Sequence, residues 1–183
     1  MLGKRHLSAM TRSSTLYSHW IWTSPVGQLL LIDNGRALCG LHFQDGLHPL
    51  EIDEGWKKQR SPFSNVIQQL EKYFDGRLQK FTIPLDLEGT GFQCSVWHAL
   101  QTIPYGVTAS YGAIARKIRN PKASRAVGAA NGQNPVSIIV PCHRVIGANG
   151  KLVGYGGGVP IKEALLELEG CVVKANTTAK SCG

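Results

Sequence analysis

Between residues 89 and 162 the chain has no aspartate or glutamate. It nevertheless carries eight cations there: Arg116, Lys117, Arg119, Lys122, Arg125, Arg144, Lys151 and Lys162. Of the 20 Lys and Arg and 12 Asp and Glu in the whole chain, 12 of each lie elsewhere, so the net charge of +8 belongs to this one segment. Such a segment cannot knit its helices with ion pairs. It must bury apolar residues and turn its cations outward, and a basic, acid-free surface is the footprint of a polyanion binder. Chance clustering in a basic protein is the ordinary alternative.

The chain divides accordingly. At 183 residues it has room for one or two small domains. Residues 1–88 read as an α/β domain with a small antiparallel sheet, and residues 89–183 as a mainly helical domain. No apolar run approaches the roughly 20 residues of a membrane span, so no membrane partner is expected. The opening "MLGKRHLSAMTRSSTLYS" lacks a secretory core; residues 1–15 are read as a disordered tail, with a transit peptide left open. The five cysteines (Cys39, Cys94, Cys142, Cys171, Cys182) are odd in number and widely spaced. That argues against a disulfide framework and for an intracellular, reducing compartment: cytoplasmic in a prokaryote, nuclear in a eukaryote. "CGLH" (Cys39, His42) has no second close ligand pair, so no metal is expected.

In the first unit "YSHWIW", "QLLLID" and "ALCGLHF" read as short strands with "SPVG" and "NGR" as turns. "SNVIQQLEKYFDG" shows a helical stripe (Val66, Ile67, Leu70, Tyr73, Phe74) ended by Gly76. "FTIPLDLEG" reads as an extended connector. The second unit opens with a capping box, Thr90 and Gln93, before a helix whose apolar face is Phe92, Val96, Leu100 and Ile103. Cys94, early on that helix, is read as structural. Ser110 caps a short helix through Ile118, "RNP" breaks it, and a second runs from about Lys122 to Ala130, ended by Asn131 and Gly132. Two short helices joined by a tight turn suggest a helix-turn-helix.

That second helix is poor in the long polar side chains that read base edges. It offers Ala123, Ser124, Ala126, Gly128, Ala129 and Ala130, with Arg125 alone in its middle. This suits close, sequence-independent approach to DNA with one arginine as a probe. Tight helix packing fits equally well.

The apolar run "SIIV" (Ile138, Ile139, Val140) reads as a buried strand ended by Pro141, which places Cys142 where the chain turns. His143 offers a base or a cation that favours thiolate. Neighbours on a strand face opposite ways, so the pair needs a turn or a bridging water. The final helix runs from Pro160 to Gly170 and puts Glu169 in its last turn, where the helix dipole disfavours it. Glu169 is either a partner for His143 or a surface accident.

Taken together, "FQCSVWHALQTIPYG", "SYGAIA", "RAVGAANGQNP", "PCHRVIG", "GYGGG" and "KEALLELEG", in that order, resemble the O6-alkylguanine-DNA alkyltransferases, a family of direct-reversal DNA repair proteins. "TSPVGQLLL" and "LEKYFDG" are similar more loosely. The resemblance implies irreversible, single-use transfer of an alkyl group from O6-alkylguanine, and from O4-alkylthymine, in duplex DNA to Cys142 after base flipping. It implies His143 as base through a water, Glu169 orienting it, and Asn134 as hinge, a residue that could equally make an ordinary Asn-Pro turn. Arg125 would fill the gap in the stack on a helix that includes Ala123, Ser124 and Gly128. Tyr111 would donate to the guanine. The pocket would comprise the carbonyls of Cys142 and Val145, the loop of Tyr155, Gly156 and Gly157, and Lys162. The bare Gly156–Gly157–Gly158 loop leaves room for alkyl groups larger than methyl. No cofactor is expected, and the zinc ligands of some family members are not found here. A monomer is expected, with cooperative assembly on DNA left open.

Two other classes compete. A non-enzymatic DNA-binding module would not need Cys142 in a complete "PCHRV". A Cys-His hydrolase of neutral substrates has no use for an acid-free basic segment.

Overall fold

The computed structural model describes residues 17–46 and 49–171. The expected tails, residues 1–15 and the stretch beyond Cys171, lie outside the described residues. Four strands form a sheet in the order β3-β2-β1-β4: β1 Ser18–Ser24, β2 Gly27–Asp33, β3 Leu38–Phe43 and β4 Lys57–Lys58. The first three are antiparallel, as expected, while the two-residue β4 adds in parallel to β1, so the sheet is mixed. β1 and β2 close a tight hairpin at Pro25 and Val26. Ser24 Oγ accepts from Val26 N and donates to the Gly27 carbonyl, tying the turn off.

Alternation decides what the sheet buries. Leu29, Leu31, Leu41 and Phe43 point to the shared core, where α1 (Ser64–Phe74) lays Val66, Ile67, Leu70 and Tyr73 against them. Each such burial contributes about 1.5–3 kcal/mol. Gly76, at φ +70°, ends α1: its N–H bonds the Tyr73 carbonyl, and Arg77 N bonds that of Lys72.

The second half is helical: α2 Gly91–Leu100, α3 Tyr111–Lys117, α4 Ser124–Gly132 and α5 Val159–Leu168, with a two-stranded parallel pair, β5 Ala109–Ser110 and β6 Val145–Ile146. The Thr90–Gln93 capping box is present on α2. Trp97 of α2 is buried and donates from Nε1 to the Ala130 carbonyl of α4 at 2.9 Å, locking the two helices together. A Cβ on Gly89 would lie 2.6 Å from that indole, so the entry to α2 has room only for glycine.

α3 and α4 form the helix-turn-helix. Ser110 Oγ caps α3 by accepting from Ala113 N. Its end is a Schellman turn in which Arg119, at φ +59°, stands where glycine is usual; Asn120 N reaches the Ala115 carbonyl at 2.9 Å. α4 begins and ends later than its composition suggests. Asn131 and Gly132 are inside the helix rather than its terminators.

One apolar core runs through both halves, from Leu29 and Phe63 to Val140, Cys142 and Leu165. β3 makes the join. Its free edge bonds the segment after α4, with Leu41 N donating to the Pro135 carbonyl and Ser137 N to the Leu41 carbonyl. No helix among the described residues is long and apolar enough to cross a membrane.

Candidate active site

The run "SIIV" is not a strand. Residues 137–140 form a compact turn with Ile138 at φ +69°, and Cys142–Arg144 is a single 3-10 turn leading into β6. A β-branched residue at positive φ costs on the order of 1–3 kcal/mol and persists only where its surroundings over-determine it. Here they do. Ile138 is fully buried, and the Asn134 side chain replaces the missing ladder: Nδ2 donates to the Val140 carbonyl at 2.8 Å, and Oδ1 accepts from Val136 N at 3.1 Å. The same Nδ2 lies 3.0 Å from Cys142 Sγ. Asn134 thus folds the turn and contacts the thiol at once.

Glu169 is fixed by the end of α5. Gly170, at φ +75°, stops the helix with Schellman bonds to the Glu167 and Leu166 carbonyls. The carboxylate is turned into the core rather than to solvent. There it meets five donors. Oε1 accepts from Tyr73 Oη at 2.7 Å, Arg144 Nη2 at 2.8 Å and His143 Nε2 at 2.9 Å; Oε2 accepts from Arg144 Nε at 2.8 Å and Gly106 N at 3.3 Å. Burial pushes this carboxyl up, but the His143 and Arg144 donors outweigh it and hold it at about 2. The helix-terminal glutamate is therefore a buried anion, not a surface accident.

An ionised Glu169 only accepts, so His143 Nε2 carries the hydrogen. Burial also pulls the imidazole below its usual pKa, against the pull of Glu169. The neutral ring then has its lone pair on Nδ1, a buried atom with no hydrogen-bond partner among the described residues. That is a base poised to take a proton. The thiol it neighbours in sequence is protonated at rest: burial pushes Cys142 up, while the Asn134 amide and the Lys162 charge pull the other way.

Lys162 is fully buried, with Nζ donating to the carbonyls of Val145 at 2.6 Å and Val153 at 2.9 Å. Burial draws it down to about 8. The Tyr155 hydroxyl lies near enough to the thiol for each to influence the other's pKa, yet among the described residues it has no partner in hydrogen-bonding geometry. Tyr111 is half-buried, and burial followed by Cys142 raises its phenol. Cys142, His143, Glu169, Asn134, Tyr111, Val145, Tyr155 and Lys162 thus belong to one neighbourhood.

The carbonyls of Cys142 and Val145 are not empty-handed. Cys142 O accepts from Val145 N and, at 3.4 Å, from Asn131 Nδ2; Val145 O accepts from Lys162. At Cys142 O both lone pairs thus have donors, so a ligand there takes the place of the long Asn131 contact.

On α4, Arg125, Ala126 and Ala129 are exposed, whereas Ala123, Ser124 and Gly128 are only half-exposed. A Cβ on Gly128 would sit 3.7 Å from the Tyr111 ring. The bareness of the glycine loop has mixed causes. Gly156 borders open space, but a Cβ on Gly157 would meet the Phe43 ring at 2.9 Å, and Gly158 adopts φ +92°. The basic surface is also smaller than the composition implies. Arg144 and Lys162 are buried, which leaves six exposed cations: Arg116, Lys117, Arg119, Lys122, Arg125 and Lys151.

Three residues of the site were not foreseen. Arg144 looked like surface charge, Tyr73 like part of a helical stripe and Asn131 like a helix terminator. For Arg144 a signal did exist: it adjoins His143 at the end of an apolar run. Nothing in the pattern marked the other two.

Comparison with known proteins gives a consistent result. Residues 91–171 match the 6-O-methylguanine DNA methyltransferase DNA binding domain, and residues 15–87 the ribonuclease-like domain of the same proteins. The methylated-DNA–protein-cysteine methyltransferase of Methanosarcina acetivorans is 53% identical over 150 residues, 82% of this chain and 96% of that protein. Its counterpart from Mycobacterium tuberculosis is 52% identical over 155 residues, 85% of this chain and 93% of the relative. A crystal structure of the M. tuberculosis O6-methylguanine methyltransferase superposes with a TM-score of 0.78 at 51% identity, covering 84% of this chain and 93% of that one. The M. tuberculosis protein in complex with DNA superposes at 0.77 and 52% identity, covering 84% and 91%.

Proposed function

The chain belongs to the 6-O-methylguanine DNA methyltransferase family, and on that premise we propose that it repairs duplex DNA by direct reversal. It takes the alkyl group of O6-alkylguanine, and of O4-alkylthymine, onto its own Cys142, once per molecule. The observation that carries this reading is the thiol 3.0 Å from the Asn134 amide, adjacent in the chain to a neutral imidazole whose Nε2 is held by an ionised carboxylate.

The chemistry follows from those groups. The damaged base leaves the stack at a cost of a few kcal/mol, because its alkyl group cannot otherwise reach a buried sulfur. Arg125, exposed on a helix face of small residues, fills the space it vacates, and the six exposed cations engage phosphates. The thiol proton passes to His143 Nδ1 through a water, and Glu169 stabilises the imidazolium that results. Sulfur attacks the alkyl carbon in line; the S–C bond forms as the C–O bond breaks, and the electron pair leaves with the guanine. Tyr111 gives its phenol proton to that guanine and regains one from the His143 imidazolium through solvent, and the carbonyls of Cys142 and Val145 accept from the guanine amino group. Atoms and charge balance without a further reagent. The product is a thioether that none of these side chains can cleave, so the protein is consumed.

We take the acting unit to be one molecule in a reducing intracellular compartment, cytoplasmic in a prokaryote and nuclear in a eukaryote. The test is a count. Duplex O6-methylguanine in excess is mixed with known protein and the restored guanine is measured. A plateau at one guanine per molecule supports the reading; continued turnover refutes it.

A further inference from the structure

Tyr73 lies far from the thiol in sequence and belongs to the other half of the molecule, yet its hydroxyl is within 2.7 Å of Glu169 Oε1, the oxygen that holds His143. We propose that Tyr73 is a positioning residue for the reaction: its donor keeps Glu169 a weak partner, and so keeps His143 in the neutral form that can accept the thiol proton. This rests on the role given to His143 above.

The donors compete for one carboxylate. A carboxylate has about four lone-pair sites, and Glu169 already serves five donors, so each donor takes only a share of its charge. If Oε1 had fewer donors, its grip on the imidazole would tighten, the imidazolium would be favoured, and Nδ1 would be protonated before substrate arrived. The other groups that act on His143 are Arg144 from the same turn and Lys162 from α5, both disfavouring its cation, and the Tyr155 ring, 6.5 Å away edge-on. Tyr73 is held rigidly for this task. It is fully buried, and its ring packs against Phe74 and Phe81 at 5.3 Å and Tyr105 at 6.1 Å.

The test uses the full chain with Tyr73→Phe and, separately, with 3,5-difluorotyrosine at position 73, a stronger donor of nearly the same shape. Two readouts are taken against pH: the His143 ring nitrogens by NMR, and the single-turnover rate of methyl transfer. Tyr73→Phe should move the His143 titration and the acid limb of the rate upward by on the order of half a pH unit, about threefold in the protonation equilibrium. The fluorinated residue should move both downward. Should Tyr73→Phe fail to fold, the fluorinated protein decides alone. Unshifted titrations in the folded proteins, whatever their melting temperatures, overturn the inference. A wild type that titrates normally but transfers no methyl group would instead sink the assigned reaction and leave the electrostatic coupling standing.

Discussion

Replacing Arg144 by methionine removes the guanidinium that forks onto both oxygens of Glu169 and also caps the Ile103 carbonyl. The side chain length is roughly kept, so the loss is mainly electrostatic. Deleting one partner of a buried pair costs about 3–5 kcal/mol, because the other charge stays buried without its counter-ion. A pH signature distinguishes this from a packing defect. Glu169 sits at about 2 against an ordinary 4.5. A depressed carboxylate stabilises the fold fully above 4.5, and that contribution fades as pH falls through 2. At about 1.4 kcal/mol per pH unit it amounts to roughly 3 kcal/mol, of which His143 supplies part, so the share of Arg144 is on the order of 1–2 kcal/mol. Urea unfolding followed by tryptophan fluorescence, from pH 7 down to about 3.5, measures it. The gap between wild type and Arg144→Met should be about 3–5 kcal/mol at neutral pH and narrow on acidification. A gap below about 1 kcal/mol, or one that stays constant with pH, would refute the assignment of Arg144 as the counter-ion.

Lys162→Met tests the buried ammonium from the alkaline side. Wild-type Lys162 is drawn from 10.5 to about 8, so the unfolded chain holds the extra proton in that window and wild-type stability rises with pH across it. Relative to Lys162→Met, wild type should gain up to about 3 kcal/mol between pH 8 and 10.5 in chemical denaturation; parallel curves would contradict the burial of a charged lysine. Gly128→Ala places a methyl group 3.7 Å from the Tyr111 ring, an ordinary contact, inside a helix. It should raise the unfolding free energy by about 0.5–1 kcal/mol, and a lower melting temperature would mean that α4 and Tyr111 pack more tightly than described.

Much of the fold was legible because local chemistry and tertiary role agree there. The Thr90–Gln93 box, the Ser110 cap, the α1 stripe and Gly76 each act within a few residues of themselves. Glu169 was legible for the opposite reason, being wrong for a helix end and so in need of a partner. The failures share one cause. "SIIV" has the composition of a strand, but composition does not say what satisfies the backbone. Here the Asn134 amide does, which allows Ile138 its positive φ and sets Cys142 on a tight turn. The charge pattern alone counted Arg144 and Lys162 as surface, although the resemblance placed Lys162 at the pocket, because burial of a cation depends on partners 25 residues away, for Arg144, or on carbonyls, for Lys162. Tyr73 was absorbed into its stripe, since its ring does belong to the core and only its hydroxyl reaches the site.

The central claim is that Cys142 Sγ receives the alkyl group. Intact mass, followed by peptide mapping, after reaction with a duplex containing one O6-methylguanine tests it directly, with Cys142→Ser alongside. One added methyl group per molecule, mapped to Cys142 and absent from the variant, is the predicted result. A methyl group on any of the other cysteines, or repaired DNA with no gain in protein mass, would contradict the account.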